Sequence, residues 1–225
     1  GEYVVYFNND NGNWYSYHIE SESTNLLNDG IPVSFADEKN DVPSAPRPYG
    51  IAGWSEDGKS IYLNDRYDIW KFSLDGKKKS ILTDAQGRQQ QTIYRFETLY
   101  KNDDPRITQT MINEREPIFM SGFNEKTKYQ GLYRLKGKRI NELWSTANSY
   151  SKISADKAFT NVIFTKEDYQ HSPDLYVTEN FKSQTRLTNI NPQQDAYNWG
   201  TAELVKWTTP NGYESEGILY KPEDF

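Results

Sequence analysis

Hydrophobic and polar residues alternate strictly in one segment of the first half of the chain. In "DIWKFSL", the side chains of Trp70, Phe72 and Leu74 fall on one face, and those of Lys71 and Ser73 fall on the other. A period of two residues predicts a β-strand that buries one face and leaves the other face polar. We therefore expect the face that carries Trp70 to pack in a core.

Tight turns separate this strand from its neighbours. The sequences "SEDG" at 55–58 and "LDGKK" at 74–78 contain glycine, whose freedom to adopt a positive φ closes short hairpins. Together with "YGIAGW", "SIYLN" and "SILT", the segment holds four antiparallel strands in about 36 residues. This length and turn spacing predict one blade of a β-propeller.

The blade pattern recurs along the chain. It returns in "PIFMSGFNEKTKYQGLYRLKGKRINELWS" and in "AFTNVIFTKEDYQHSPDLYVTENFKSQTRLTN", whereas the first residues supply only the last three strands of a blade. The closing strands align on Leu27, Leu82, Leu143 and Leu187. We predict an all-β fold, a partial β-propeller of about four blades built from four-stranded antiparallel sheets.

The repeat also sets the predicted domain boundaries. Residues 86–102 have the best helical composition in the chain but fit a strand equally well, so we interpret them as an inserted strand or loop. Because a blade covers its faces with neighbouring blades, and because the sequence starts at Gly1 without Met, we expect a longer parent protein that supplies more blades upstream. The partial propeller covers 1–200, with blades at approximately 1–30, 44–85, 108–147 and 150–190, and a hairpin turning at "PNG" covers 201–225.

Composition narrows the classes of function. The formal net charge is −6, so no basic field is present to attract nucleic acid or an anionic membrane, and we expect neither as a partner. The chain has no cysteine, which excludes disulfides, thiol nucleophiles and cysteine-ligated metals. No apolar run approaches the roughly 20 residues that span a bilayer.

Candidate nucleophiles and bases lack the context that catalysis needs. Ser55 lies in "GWSED", which resembles a G-x-S-x-G elbow but has Asp57 in place of the second glycine and joins two strands. His18 lies in a predicted strand and His171 in a predicted turn, and neither stands in a motif that pairs histidine with serine and a carboxylate. We assign no catalytic residue to this chain.

Metal and cofactor motifs are also missing. The oxygen-rich "NNDNGN" at 8–13 lacks the downstream glutamate of a calcium loop and is explained as a hairpin turn, so we predict no metal and no cofactor. In "NDRYD", Arg66 stands between Asp65 and Asp68, and we interpret it as a partner in a local salt bridge. Acidic pairs, which we interpret as charges that protect sheet edges, occur at Asp103 with Asp104, Glu114 with Glu116, and Glu214 with Glu216.

Three stretches together resemble a known family. They are "PYGIAGWSEDGKSIYLNDRYDIWKFSLDGK", "PIFMSGFNEKTKYQGLYRL" and the C-terminal stretch that begins "SPDLYVTENFKSQTRLTN" and ends "NPQQDAYNWGTAELVKWTTPNGYESEGILYKPEDF". They look like the β-propeller of bacterial serine peptidases of the prolyl oligopeptidase family, which includes dipeptidyl and acylaminoacyl peptidases. The C-terminal segment is the most specific part, since in that family such a segment forms the first hairpin of an α/β-hydrolase domain.

The resemblance implies a non-catalytic propeller that gates and positions peptide substrates for its own α/β-hydrolase domain, which is absent here. The parent is then a serine peptidase, periplasmic or secreted, while the fragment itself is not an enzyme. No motif for the catalytic Ser, Asp and His has a matching position in this chain, and no glutamate pair for a substrate amino terminus can be matched. Whether the parent is a dipeptidyl or an acylaminoacyl peptidase therefore stays open, as does a homodimer through open blade faces.

A stand-alone propeller binding module of the TolB-like class is the alternative. It explains the "SEDGK" turns equally well, but it explains "EGILYKPEDF" poorly, since a propeller should end by closing its ring.

Overall fold

A computed structural model describes residues 1–100 and 110–224, so the acidic pair at 103–104 lies outside the described residues. The chain divides into two compact units, Gly1–Thr146 and Ala147–Phe225, and each is treated by itself. Strands dominate both units, so the all-β prediction is confirmed. None of the helices in the described ranges is long and apolar enough to cross a membrane.

The first unit opens with a three-stranded meander. Its strands β1 (Tyr3–Asn8), β2 (Asn13–His18) and β3 (Ser23–Leu26) pair antiparallel in chain order. The turn at 8–13 closes on Gly12, which adopts a positive φ of 69°. The oxygen-rich sequence therefore forms the predicted hairpin turn.

The second sheet contains the segment whose alternation is strictest. It comprises β4 (Ile51–Ser55), β5 (Ser60–Asn64), β6 (Ile69–Ser73) and β7 (Lys79–Ile81). The short strand β9 (Met111–Ile112) pairs parallel with β4 and makes this a five-stranded sheet. That parallel strand was not predicted, because its pairing depends on a chain return that local pattern does not encode.

The third sheet includes one strand from the segment at 86–102, which precedes the predicted blade in sequence. A short helix α1 (Gln86–Gln90) leads into β8 (Thr92–Glu97), which pairs with β10 (Ile118–Asn124). The sheet continues through β11 (Gln130–Lys136) and β12 (Arg139–Thr146). The predicted blade boundary of 108–147 therefore omits β8, since the edge partner of β10 lies upstream in sequence.

Two hydrophobic clusters cover opposite faces of the second sheet. Ile61, Leu63 and Phe72 pack in a cluster with residues of the first sheet, such as Trp14. On the other face, Tyr62 packs in a cluster with side chains of the third sheet. Because both faces are covered, β5 is buried almost throughout, which is the stacking expected of neighbouring blades.

The predicted burial of one face of β6 is confirmed. Phe72 and Leu74 are buried, and Trp70 is half-buried with its ring against Phe35 at a centroid distance of 6.1 Å. Lys71 and Ser73, on the opposite face, remain partly exposed, but Ile69 on that face is buried in the other cluster, so the expectation of a face that is polar throughout is not met.

The second unit contains one four-stranded sheet and a separate hairpin. The sheet consists of β13 (Ser149–Ala155), β14 (Asn161–Glu167), β15 (Asp174–Glu179) and β16 (Gln184–Arg186) in chain order. A 3₁₀ turn at Pro192–Ala196 precedes β17 (Thr201–Thr208) and β18 (Glu214–Lys221), which pair only with each other among the described strands. The turn between them contains Gly212 at a φ of 82°.

Candidate functional site

A group of charged side chains in the first unit forms where separate loops meet. We call it the Arg66 cluster: Arg66 and Tyr67 from the β5–β6 connection, Arg88 from α1, Glu125 from the β10–β11 turn, and Glu38 from the long connection after β3. Charged groups that are held together and partly removed from water are candidates for function, because burial and neighbours shift their pKa values.

Two buried aspartates shape the loop that carries Arg66. Asp65 accepts hydrogen bonds from the backbone N–H groups of Tyr67 and Asp68 at 2.7 and 2.8 Å, and from the Trp70 indole at 2.8 Å. Asp68 accepts from the Thr83 hydroxyl at 2.6 Å, and also from two backbone N–H groups at the start of α1. Burial raises the pKa of Asp68, against the effect of these hydrogen bonds. Both aspartates therefore hold the backbone around Arg66 in place.

Arg66 pairs with a distant glutamate. Its Nη2 lies 2.9 and 2.7 Å from the two carboxylate oxygens of Glu125, and the Tyr67 hydroxyl donates to the same carboxylate at 2.6 Å. The prediction of a local salt bridge with Asp65 or Asp68 is therefore wrong. The aspartates are already occupied by backbone donors, so the guanidinium reaches across to the β10–β11 turn.

The electrostatics of this pair favour its charged form. Burial opposes ionisation of Glu125, but the hydrogen bonds from Arg66 and Tyr67 prevail and hold its pKa below the usual value. Burial and the hydrogen bond to Glu125 raise the pKa of Tyr67 to about 12. The guanidinium carbons of Arg66 and Arg88 lie 4.8 and 5.1 Å from the centre of the Tyr67 ring. Two cations and one carboxylate thus surround a neutral phenol.

A second polar group lines a cavity of about 420 Å³ in the same unit. Glu114, just beyond β9, accepts hydrogen bonds from the Tyr62 hydroxyl and the Lys71 ammonium, both at 2.5 Å. Burial opposes the charge of Glu114, but these two donors hold its pKa below the usual value. The acidic residue that we interpreted as an edge charge therefore joins the end of β9 to β5 and β6 within the second sheet.

The histidines do not assemble a catalytic triad within residues 1–100 and 110–224. His18 Nδ1 lies 2.8 Å from the Ser21 hydroxyl, and His171 Nδ1 lies 2.8 Å from a carboxylate oxygen of Asp168. Ser55 donates to Asp57 at 2.6 Å inside a hairpin turn. In the described part of the chain, no group of three or more His, Asp or Glu side chains could hold a metal ion.

The residues that matter most in both groups were missed by reasoning from the sequence. Glu38, Arg88 and Glu125 carry no motif, and each meets its partner through contacts of 50 residues or more in sequence separation. Sequence reasoning singled out Arg66, because it stands between two acids in "NDRYD", and Glu114, which it interpreted as an edge charge.

Comparison with known proteins gives matches in structure but not in sequence. No protein-family model and no curated protein matches the chain. A Bacteroides ovatus protein designated a dipeptidyl aminopeptidase IV shares 13% identity with a TM-score of 0.59, over 99% of this chain and 32% of that chain. Dipeptidyl peptidase 4 of Porphyromonas gingivalis shares 15% identity with a TM-score of 0.57, over 99% and 30%. Acylaminoacyl peptidase of Pyrococcus horikoshii shares 14% identity with a TM-score of 0.50, over 94% and 28%.

These likenesses establish the fold. The predicted fold class, an all-β partial propeller, is confirmed, and the predicted resemblance is confirmed as a shared fold with solved peptidase structures. The chain spans about a third of the length of these structures.

Proposed function

We propose that this chain is the propeller portion of a serine peptidase of the prolyl oligopeptidase family, and that it gates and positions peptide substrates for an α/β-hydrolase domain. The observation that carries the proposal is the match itself: nearly all of this chain corresponds to about a third of each of two dipeptidyl peptidases. The remaining two thirds of such a protein has room for a catalytic domain of the size that α/β folds require.

The hairpin of β17 and β18 supports the second half of this proposal. Apolar side chains are exposed on both of its faces: Leu204 and Ile218 lie directly opposite each other on one face, while Trp207 and Leu219 lie on the other. A two-stranded ribbon alone is marginally stable in water. Packing against a further domain would cover these side chains, and we propose the hydrolase domain as that partner.

Activity measurements on the isolated chain and on the parent protein test the proposal. The 225-residue chain should hydrolyse no peptide or ester substrate, whereas the parent should hydrolyse peptides and be blocked by a fluorophosphonate directed at serine. Hydrolysis by the isolated chain would contradict the proposal.

The gene beyond Phe225 separates this proposal from a TolB-like binding module. A G-x-S-x-G motif followed by Asp and then His supports the peptidase. A stop codon directly after Phe225 would favour the binding module instead. Localisation in the periplasm or outside the cell is part of the same proposal, and fractionation of the source cells with an antibody to this chain tests it.

A further inference from the structure

A second concave surface in the first unit has a different chemistry from the two charged groups above. A pocket of about 720 Å³ lies on the second sheet and is lined only by lysine and serine side chains. We call it the lysine–serine pocket and define it by Ser60, Lys71, Ser73, Lys77, Lys78 and Ser80. The chain as a whole has a net charge of −6, so a pocket lined by cations stands out against its surroundings.

Strand register explains why these side chains converge. Ser60 lies directly opposite Ser73, and Lys71 lies directly opposite Ser80. Residues that oppose each other in an antiparallel pair project from the same face of a sheet, and so do residues two apart along a strand. The polar positions of three neighbouring strands thus form one surface, opposite the face that Phe72 buries.

The donors in this pocket are partly free. Within the part of the chain that the structure describes, the Lys78 ammonium and the hydroxyls of Ser60 and Ser80 have no partner. Lys77 lies 3.4 Å from Asp75, a contact between exposed groups that water screens strongly, and the Ser73 hydroxyl donates to the same carboxylate at 2.6 Å. Lys79 also lines the pocket, but its ammonium donates to the carbonyl oxygen of Asp29.

We propose that the lysine–serine pocket binds a tetrahedral oxyanion, the phosphate or sulfate group of a small ligand. Ammonium and hydroxyl groups are donors that such an oxyanion accepts, and the lining residues include no acid, although the carboxylates of Asp75 and Glu114 contact some of them. The pocket is larger than a single ion requires, which leaves space for the organic part of a phosphate or sulfate ester.

Lys71 connects this pocket to the Glu114 cavity, since its side chain lines both. Its ammonium lies 2.5 Å from Glu114, so a bound oxyanion and the Glu114 carboxylate compete for the same cation. Removing the charge of Glu114 leaves Lys71 available to the ligand and should raise affinity.

Calorimetric titration of the 225-residue chain with pyrophosphate and with inorganic sulfate, at low ionic strength, tests the site. We expect saturable binding at one site, weakened by added sodium chloride. Lys78→Gln should lower affinity roughly fivefold, as the loss of one exposed ion pair allows. The matched control Lys136→Gln removes an exposed lysine from the β11–β12 hairpin and should leave affinity unchanged.

Glu114→Gln should have the opposite effect to Lys78→Gln and should tighten binding. A substitution that only damaged the fold would weaken binding instead. Pyrophosphate carries more negative charge than sulfate, so its tighter binding is expected of a cationic pocket, and saturable binding of either anion supports the site. Absence of saturable binding of both anions, or equal affinity in Lys78→Gln and the unmodified chain, overturns the site. Unchanged affinity in Glu114→Gln overturns the part assigned to Lys71.

Discussion

Arg66 and Glu125 stand 59 residues apart in sequence, and the Arg66 guanidinium contacts both oxygens of the Glu125 carboxylate. Both side chains are about four-fifths buried, at 18% and 20% exposure. The pair therefore ties the β5–β6 connection of the second sheet to the β10–β11 turn of the third.

Glu125→Ala should lower the free energy of unfolding by about 1–3 kcal/mol, because it leaves the Arg66 guanidinium and the Tyr67 hydroxyl without their acceptor. Urea denaturation followed by circular dichroism measures the change. Glu116→Ala, which removes an exposed acid from the same unit, is the control and should have little effect. If Glu125→Ala and Glu116→Ala were equally stable, the contact between Arg66 and Glu125 would contribute nothing to the free energy of unfolding.

The same pair predicts a dependence of stability on pH. The folded-state pKa of Glu125 is lowered, so its stabilising contribution is present above the unfolded value of about 4.3 and is lost as the pH falls through the folded pKa. The difference in unfolding free energy between the unmodified chain and Glu125→Gln should be largest at neutral pH and shrink on acidification. Urea titrations at neutral and acidic pH measure it, and a difference that grew on acidification would contradict the assignment.

Trp70 fills space beside Phe35 and donates its indole N–H to Asp65 at 2.8 Å. Trp70→Ala should destabilise the chain by about 3–5 kcal/mol, since it leaves a cavity and removes a donor from a buried carboxylate. Thermal and urea unfolding measure the loss. Tyr129→Ala, which truncates an aromatic side chain that is 42% exposed in the same unit, should cost much less. Similar losses for the two variants would place Trp70 outside the core.

Gly122 and Gly131 lie directly opposite each other in β10 and β11, and neither has space for a methyl group. A Cβ atom at Gly131 would meet the Trp144 carbonyl oxygen, and one at Gly122 would meet the Tyr133 ring. Gly131→Ala should therefore cost about 1–3 kcal/mol of stability through overpacking, measured by urea unfolding.

Gly137 provides the control for that substitution. It has a φ of 60° and open space around the position of a Cβ atom, so Gly137→Asn tests a glycine that is required only for its backbone conformation. Asparagine visits this conformation more readily than other non-glycine residues, so the variant should lose less than the roughly 1–2 kcal/mol that the left-handed conformation costs most residues. If Gly131→Ala were as mild, the close approach of β11 and β12 would be wrong.

The exposed hairpin gives a comparison between the isolated chain and its parent. Ile218 is 58% exposed here, so Ile218→Ser should leave the stability of the isolated chain nearly unchanged. In the parent protein the same substitution should lower the melting temperature, because we propose that a hydrolase domain covers this side chain. Differential scanning calorimetry of both proteins measures the contrast. If Ile218→Ser changed the melting temperature of neither protein, the proposal that a hydrolase domain covers the hairpin would be contradicted.

The sequence by itself determined the elements that depend on neighbouring residues. The alternation around Phe72 specifies a strand with one buried face, and the glycines of the "SEDG" and "PNG" turns specify where hairpins close. Repetition of this pattern was enough to predict the class of fold. These features are local, since period and turn chemistry act over a few residues.

Only the tertiary structure decided which distant groups meet. Arg66 has acids on both sides in sequence, yet it pairs with Glu125, because backbone N–H groups already occupy Asp65 and Asp68. The pairing of β8 in the third sheet and of β9 in the second sheet, and the contact of Glu114 with Lys71, likewise depend on chain returns that local pattern does not record. The alternation of residues along a strand predicts which side chains share a face of the sheet. The packing of the sheets and loops then determines which charged side chains come into contact.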